Sequence, residues 1–268
     1  MIARRLKAIS PLLCAALLFA NSHAAEQDPY DAAVGHPGRP AADLTRDSLD
    51  HPAGILRLTG IGPGMKVADV LAGDGYYSEL LSYIVGPRGQ VFLINNAAFE
   101  HWSEPDLTKR MAGGRLPNVL RQTVNLNDMK LPPASLDAIL LIKVYHDLYW
   151  VDSRPNSPWP QIDVRGVLDQ VSGALKPGGV LLLVDHSAKV GHGNADASEL
   201  HRIEEAYAVK DFEAHGFKVI AKSDLLRMPA DARDQISYKG PMLGKTDRFV
   251  LVLRKTGSAI GPAAGGGE

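Results

Sequence analysis

The stretch "VADVLAGDGYYSELL", residues 67–81, decides the fold. Apolar residues run to Leu71, Gly73 and Gly75 follow, and from Tyr76 the apolar positions Leu80, Leu81 and Ile84 recur at helical spacing. The segment reads as a strand, a tight turn and a helix. Gly73 and Gly75 let the backbone come close to a ligand, and the helix N-terminus offers free N–H groups. A Gly-x-Gly pair alone is about as often only a tight turn, so its surroundings carry the weight.

Outward from this turn, short apolar runs recur at "QVFLI", "LRQTV", "AILLI", "GVLLLV", "KVIA" and "RFVLVLR". Near-continuous apolar strands suit a parallel sheet covered on both faces. In "QIDVRGVLDQVSGALKPGG", Val164, Val167, Leu168, Val171 and Leu175 form one helical stripe, and Pro177 with Gly178 and Gly179 predicts its end. A further helix is predicted from about Ser198 to His215, stopping at Gly216. Seven strands, the first five alternating with helices, predict a doubly wound, Rossmann-like α/β domain with a mostly parallel sheet. Ligands in such sheets bind outside the carboxyl ends of the strands.

The ends of the chain have a different character. Arg4, Arg5 and Lys7 precede an apolar run over residues 8–20, followed by small residues Ser22 and Ala24. That order is the pattern of a secretory signal peptide over residues 1–24, cleaved after Ala24. Export, in the expected case to a periplasm, follows, with no stable membrane insertion after cleavage. The single cysteine, Cys14, lies inside the apolar run, so a mature chain has no disulfide, thiolate metal site or cysteine nucleophile. Residues 25–50 lack periodicity and read as an irregular arm, residues 51–256 as the domain, and the Gly/Ala-rich residues 257–268 as a disordered tail. A net charge of -1 without charge runs argues against a nucleic-acid partner and leaves a small-molecule substrate as the expected partner.

Several motifs then add a resemblance. "MKVADVLAGDGYYSELL" resembles the first motif of class I S-adenosylmethionine-dependent methyltransferases, and "ALKPGGVLLLVDH" their entry into the fifth strand. "VYHDLYW", "VDHSA", "HRIEE", "LLRMPADARD" and "GKTDRFVLVLRK" resemble a narrower family of exported, predicted methyltransferases, over about residues 39–255. The resemblance implies S-adenosylmethionine as cofactor, with Asp69, Gly73 and Gly75 beside its methionine and ribose part. Asn95, where an acidic residue usually meets the ribose, and Asn127 with Asp128, near the adenine, complete the implied set. Leu71 stands where a further glycine is usual.

The fourth strand leads into Tyr145, His146 and Asp147, and the fifth into Asp185 and His186. These ends are neighbours in this fold, so two histidines and two aspartates are expected beside the cofactor, with His201 and Arg202 able to join them. Three readings stay open. In acid–base chemistry His146 takes a proton while Asp147 or Asp185 orients its ring. In a structural reading the groups only pair with one another. A metal reading ranks third, because no spacing along the chain is diagnostic, and no metal ligand is assigned. Tyr145, Tyr149, Trp150 and Trp159 are candidates for an aromatic lid, with packing favoured for Trp150. Arg39, Arg46 and Asp47 in the arm read by default as surface ion pairs, with closure over the cleft as the alternative.

Methyl transfer to a small molecule or envelope component is the leading expectation. A ligand-binding protein, or a different His/Asp cleft enzyme on the same fold, is the alternative.

Overall fold

The structure is a computed structural model that describes residues 27–152 and 159–256. The expected signal peptide and tail lie outside the described residues. Three short helices open the chain: α1 (Pro29–Val34), α2 (Asp43–Asp50) and α3 (Pro52–Arg57). They are followed by β1 (Lys66–Val70), α4 (Tyr76–Val85), β2 (Gln90–Asn95), α5 (Ala97–Ser103), α6 (Asp106–Met111) and β3 (Val119–Thr123). Next come β4 (Leu136–Ile142), α7 (Val164–Ala174), β5 (Leu175–His186), α8 (Ala197–Leu200), α9 (Glu205–Ala214), β6 (Phe217–Ser223) and β7 (Arg248–Lys255).

The seven strands form one sheet in the order β3-β2-β1-β4-β5-β7-β6. Pairings from β3 across to β5 are parallel, and β7 runs antiparallel between β5 and β6. The order reverses direction between β1 and β4, which opens a crevice at their carboxyl ends. Side chains alternate along each strand, so successive residues feed opposite cores. Ala68, Leu181 and Leu183 pack with Val167, Leu168 and Val171 of α7 and Phe212 of α9 on one face. Val67, Leu182 and Val184 pack with Ile55, Leu80, Leu81 and Ile84 on the other.

Three expectations about the elements change. The arm is not irregular: Tyr30 and Ala33 of α1 are buried in the second core, and α2 is a helix. Its polar residues are ordered by ion pairs rather than by an apolar stripe. Arg39 donates to both oxygens of Asp47 at 2.8 and 2.7 Å, and Arg110 reaches Asp43 at 2.8 and 3.1 Å. Arg39 and Asp47 are therefore largely enclosed, not surface pairs. The stripe of α7 ends at Ala174, since Leu175 already pairs with Leu136 in the sheet, ahead of the Pro177 stop. The single helix expected from Ser198 to His215 is broken into α8 and α9 by His201, whose backbone is left-handed (φ 51°).

Candidate active site

The turn after β1 takes the form the two glycines require. Gly73 (φ 60°) and Gly75 (φ 81°) are left-handed, and Gly75 caps α4. A Cβ on Gly75 would stand 2.9 Å from Leu93 Cδ1, so the position is closed to side chains by packing as well as by φ. Leu71, in the position of the missing glycine, is itself left-handed (φ 55°) and buried. Non-glycine residues pay for that conformation in strain, about 1–2 kcal/mol.

Asn95, at the end of β2, locks this turn. Its Oδ1 accepts from Gly73 N at 2.9 Å and its Nδ2 donates to Gly73 O at 3.0 Å. The side chain is fully buried, so its amide is spent on the turn instead of facing the cavity. Asp69 is likewise buried and accepts from Ser78 Oγ at 2.7 Å; burial raises its carboxyl to about 7, against the Ser78 bond. Asn127 donates to Gln161 O and accepts from Asp163 N, tying its loop to the start of α7, and Asp128 is exposed beside Lys130. Of the six expected cofactor residues, Gly73 lines the cavity; Asp69, Gly75, Asn95 and Asn127 brace the surrounding structure, and Asp128 lies exposed away from the wall.

That cavity measures about 1070 Å³ and lies at the carboxyl ends of β1, β4 and β5. Its wall includes Gly73 and Asp74 from the turn, Phe99 and Trp102 from α5, and Lys143 after β4. The four-residue turn at His146–Tyr149 and the end of β5 bring His146, Asp147 and His186 to the same wall, as expected, and His201 joins them. Asp185 is fully buried behind them. Its carboxylate accepts from His146 N at 2.8 Å and His186 N at 2.7 Å, and pairs with His146 Nδ1 at 2.7 Å. Because a carboxylate only accepts, His146 Nδ1 carries a proton and Nε2 points away from Asp185. Nε2 lies 3.2 Å from Asp147 Oδ1 and 3.3 Å from His201 Nδ1.

The two strand-end histidines are pushed apart in proton affinity. Burial disfavours charge on His146, but the carboxylates of Asp147 and Asp185 outweigh it and raise the ring to about 10. Burial, reinforced by the charge of His146, drives His186 well below the ordinary histidine range. The neighbouring carboxylates thus favour a proton on His146, which weighs against its expected role as base. His186 is the neutral ring, paired through Nδ1 with Thr246 Oγ1 at 2.7 Å.

Tyr145 is corrected outright. It is fully buried in the core beside Phe212, its hydroxyl donates to Asp211 at 2.5 Å, and it takes no part in the cavity wall. Trp150 moves the other way: it lines the cavity and tilts against His201, ring centroids 5.7 Å apart. Trp159 packs behind it, stacked on Trp102 at 6.3 Å.

A group of cations lines the cavity near α2: Arg46, which takes the cleft position and not a surface pair, with Lys143 and Arg248, which have no reading from the sequence. Lys143 Nζ donates to Asp50 at 2.8 Å, Arg46 Nε donates to the same oxygen at 3.1 Å, and Arg248 takes the other oxygen. Burial lowers Lys143 to about 8, with Asp50 opposing the fall. Its backbone is left-handed (φ 61°), a strained conformation of the kind that collects at functional sites. That φ follows from no local residue pattern, and nothing in the sequence signals the pairing of Asp50 with Lys143 or Arg248.

No protein-family model matches the chain. The chain is 26% identical over 185 residues to the ubiquinone/menaquinone biosynthesis C-methyltransferase UbiE of Shewanella sp. (strain ANA-3). That match covers 68% of this chain and 61% of the relative's length. A SAM-dependent methyltransferase from Aquifex aeolicus superposes with a TM-score of 0.56 at 21% identity, covering 80% of this chain and 94% of that one. Geranyl diphosphate C-methyltransferase from Streptomyces coelicolor A3(2), solved with Mg2+, geranyl diphosphate and S-adenosyl-L-homocysteine, also gives 0.56, at 16% identity over 84% and 89%. The fold is the Rossmann-like class I methyltransferase fold. Sequence and fold together support the class I S-adenosylmethionine-dependent methyltransferase superfamily.

Proposed function

We propose that this chain transfers a methyl group from S-adenosylmethionine to a small molecule bearing an aromatic ring. The observation that carries the reading is the Gly73 turn, opening on a cavity at the carboxyl ends of β1 and β4 in this fold. The residues present fit such a cofactor. Gly73 exposes backbone, Asp74 contributes a carboxylate to the wall, and Phe99 and Trp102 supply ring faces for a base to stack on. With Asn95 committed to Gly73, hydrogen bonds to the ribose fall to Asp74. When bound, the cofactor supplies an electrophilic methyl carbon on a sulfonium.

The chain's own contribution is alignment and proton handling. In-line displacement needs the acceptor atom held close to the methyl carbon, a task for the cavity wall. Trp102, Trp150 and Tyr238 give it an aromatic lining that suits a planar substrate. The relatives' printed role in quinone biosynthesis agrees with a ring-bearing acceptor. In the tautomer whose Nδ1 donates to Thr246 Oγ1, His186 Nε2 keeps a lone pair for a substrate hydroxyl. The Asp50-bound cations favour negative charge developing on that oxygen.

Calorimetry tests the reading directly. Stripped protein should bind one equivalent of S-adenosylhomocysteine, and Gly73→Val should abolish it. No heat from the parent would overturn methyl transfer and promote the ligand-binding alternative. The proposal includes action outside the cytoplasm, supported by the Arg4, Arg5 and Lys7 pattern and the apolar run after it. Intact mass from fractionated cells checks this: a chain beginning at Ala25 is expected, and a full-length cytosolic species would sink it.

A further inference from the structure

His146, Asp147 and His201 present three donor atoms as a nearly equilateral triangle on the cavity wall. The separations are 3.2 Å for His146 Nε2 to Asp147 Oδ1, and 3.3 Å for His201 Nδ1 to each of those two atoms. We propose that this triangle is a binding site for one divalent transition-metal ion, held by His146 Nε2, His201 Nδ1 and Asp147 Oδ1.

Geometry is the first support. Bonds of about 2.1 Å to donors this far apart subtend about 100°, between the tetrahedral and facial octahedral values. The two contacts of Asp147 with these rings are also long for a carboxylate beside imidazoles. Charge-assisted bonds close to about 2.7–2.9 Å. The same His146 ring reaches 2.7 Å on its other side, with Asp185. Held by Asp185 on one edge, the ring stands wider from Asp147 on the other, and the Nε2 side has the spacing for a third body.

The groups behind the triangle point the same way. Asp185 fixes the proton on His146 Nδ1, so an ion displaces only the Nε2 proton and takes the lone pair left there, matching the carboxylate–histidine–metal arrangement. His201 reaches the triangle only because the helix breaks there and its backbone turns left-handed, φ 51° and ψ 53°. Two bonds from Ser237 hold the break: its N donates to Leu200 O at 3.0 Å and its Oγ to His201 O at 2.9 Å. Strain of this kind persists where the surroundings enforce it. Charge balances too, since a divalent ion with two neutral rings offsets Asp147 and Asp185.

Two imidazoles and one carboxylate suit Zn2+, Fe2+, Co2+, Mn2+ or Ni2+ better than Ca2+. The remaining coordination positions face the cavity, between Trp150 and Tyr238, and take water or a hydroxyl or carboxylate oxygen of the substrate. The site stands whether or not S-adenosylmethionine fills the glycine-turn half of the cavity, so its test uses metal alone.

Untagged, chelator-stripped full chain is titrated with Co2+ and with Zn2+, followed by calorimetry and by Co2+ visible absorption. One equivalent per chain is expected. His201→Ala should weaken binding at least about a hundredfold, and Asp185→Asn about ten- to a hundredfold, the range for groups that orient a ligand. His192→Ala, on an exposed ring paired with Asp196, should leave binding unchanged. Circular dichroism of each variant without metal checks the fold. Electron spin-echo modulation of the Cu2+-loaded parent counts coordinated imidazoles without any substitution, and two are expected. Absence of stoichiometric binding overturns the proposal. So does affinity in a folded His201→Ala equal to the parent's, or an imidazole count below two.

Discussion

At the residue scale, the informative side chains are those whose surroundings reverse what their type suggests. Asn95 looks like a weakened ribose acceptor in the sequence, so restoring an acid there looks beneficial. The structure reverses that expectation. Asn95→Asp removes the donor to Gly73 O and sets a buried carboxylate against that carbonyl and against Glu100 Oε2, 3.3 Å from Asn95 Nδ2. A loss of about 1–3 kcal/mol is expected in urea unfolding, together with weaker S-adenosylhomocysteine binding. Unchanged stability with tighter binding would restore the ribose reading. Asp69 gives a pH signature. Its carboxyl is raised from 3.8 to about 7, chiefly by burial. The folded state therefore keeps a proton that the unfolded chain has lost, and stability from this group is full below about pH 4 and is lost as pH climbs through about 7. Asp69→Asn keeps an acceptor for Ser78 Oγ and removes that dependence. Its stability relative to the parent should rise with pH across this window, by up to about 1.4 kcal/mol per unit. A constant difference at pH 5, 6 and 7.5 would show that Asp69 is not protonated.

At the scale of elements, the strands were legible and the arm was not. The strands β1, β4, β5 and β7 carry apolar runs buried on two faces, a pattern that composition reveals, while the edge strands β3 and β6 are half exposed. α2 reads "DLTRDSLD", with no apolar stripe to betray a helix. Its order comes from partners far away: Asp43 with Arg110, Asp47 with Tyr76 Oη, Asp50 with Lys143 and Arg248. Ion pairs between distant segments leave no periodic trace, so these residues read as a loose surface. That His201 could join His146 and Asp147 was legible from its place after β5, but the helix break that turns it there was not, since the break depends on Ser237. The strand-end pair His146 and His186 was legible, because strand order places their ends side by side. Asp50 gives the test of how α2 is held. Asp50→Asn leaves Arg46, Lys143 and Arg248 without their shared buried carboxylate, and a cost of about 3–5 kcal/mol is expected. The double variant with Arg248→Met should recover part of it. Equal unfolding midpoints for Asp50→Asn and the parent would mean that α2 docks without this cluster.

At the scale of the whole molecule, segments from both ends of the described chain wall the same cavity. Arg248 Nη2 donates to Leu49 O at 2.7 Å, and Thr45, Arg46, Leu49 and Asp50 face Ile236, Tyr238, Leu243 and Thr246. A ligand between them touches early and late chain at once, so binding stabilises the fold as a unit. The chain's three tryptophans gather beside this cavity. Trp150 and Trp159 lie 5.4 Å apart, and Trp102 lies 6.2 and 6.3 Å from them. All indole emission therefore comes from one cluster, and two of its members, Trp102 and Trp150, line the cavity. An adenine stacked on Trp102 should change that emission saturably, with the same dissociation constant as calorimetry gives for S-adenosylhomocysteine. Trp102→Phe should remove most of the change while leaving a ring for stacking, so affinity falls little. At ligand a hundredfold above its dissociation constant, the fold should gain about 2.7 kcal/mol. For a domain of this size that raises the melting temperature by about 5–11 °C. Binding by calorimetry without any change in indole emission would place the ligand away from α5, and the glycine turn would then have to hold it without an aromatic partner.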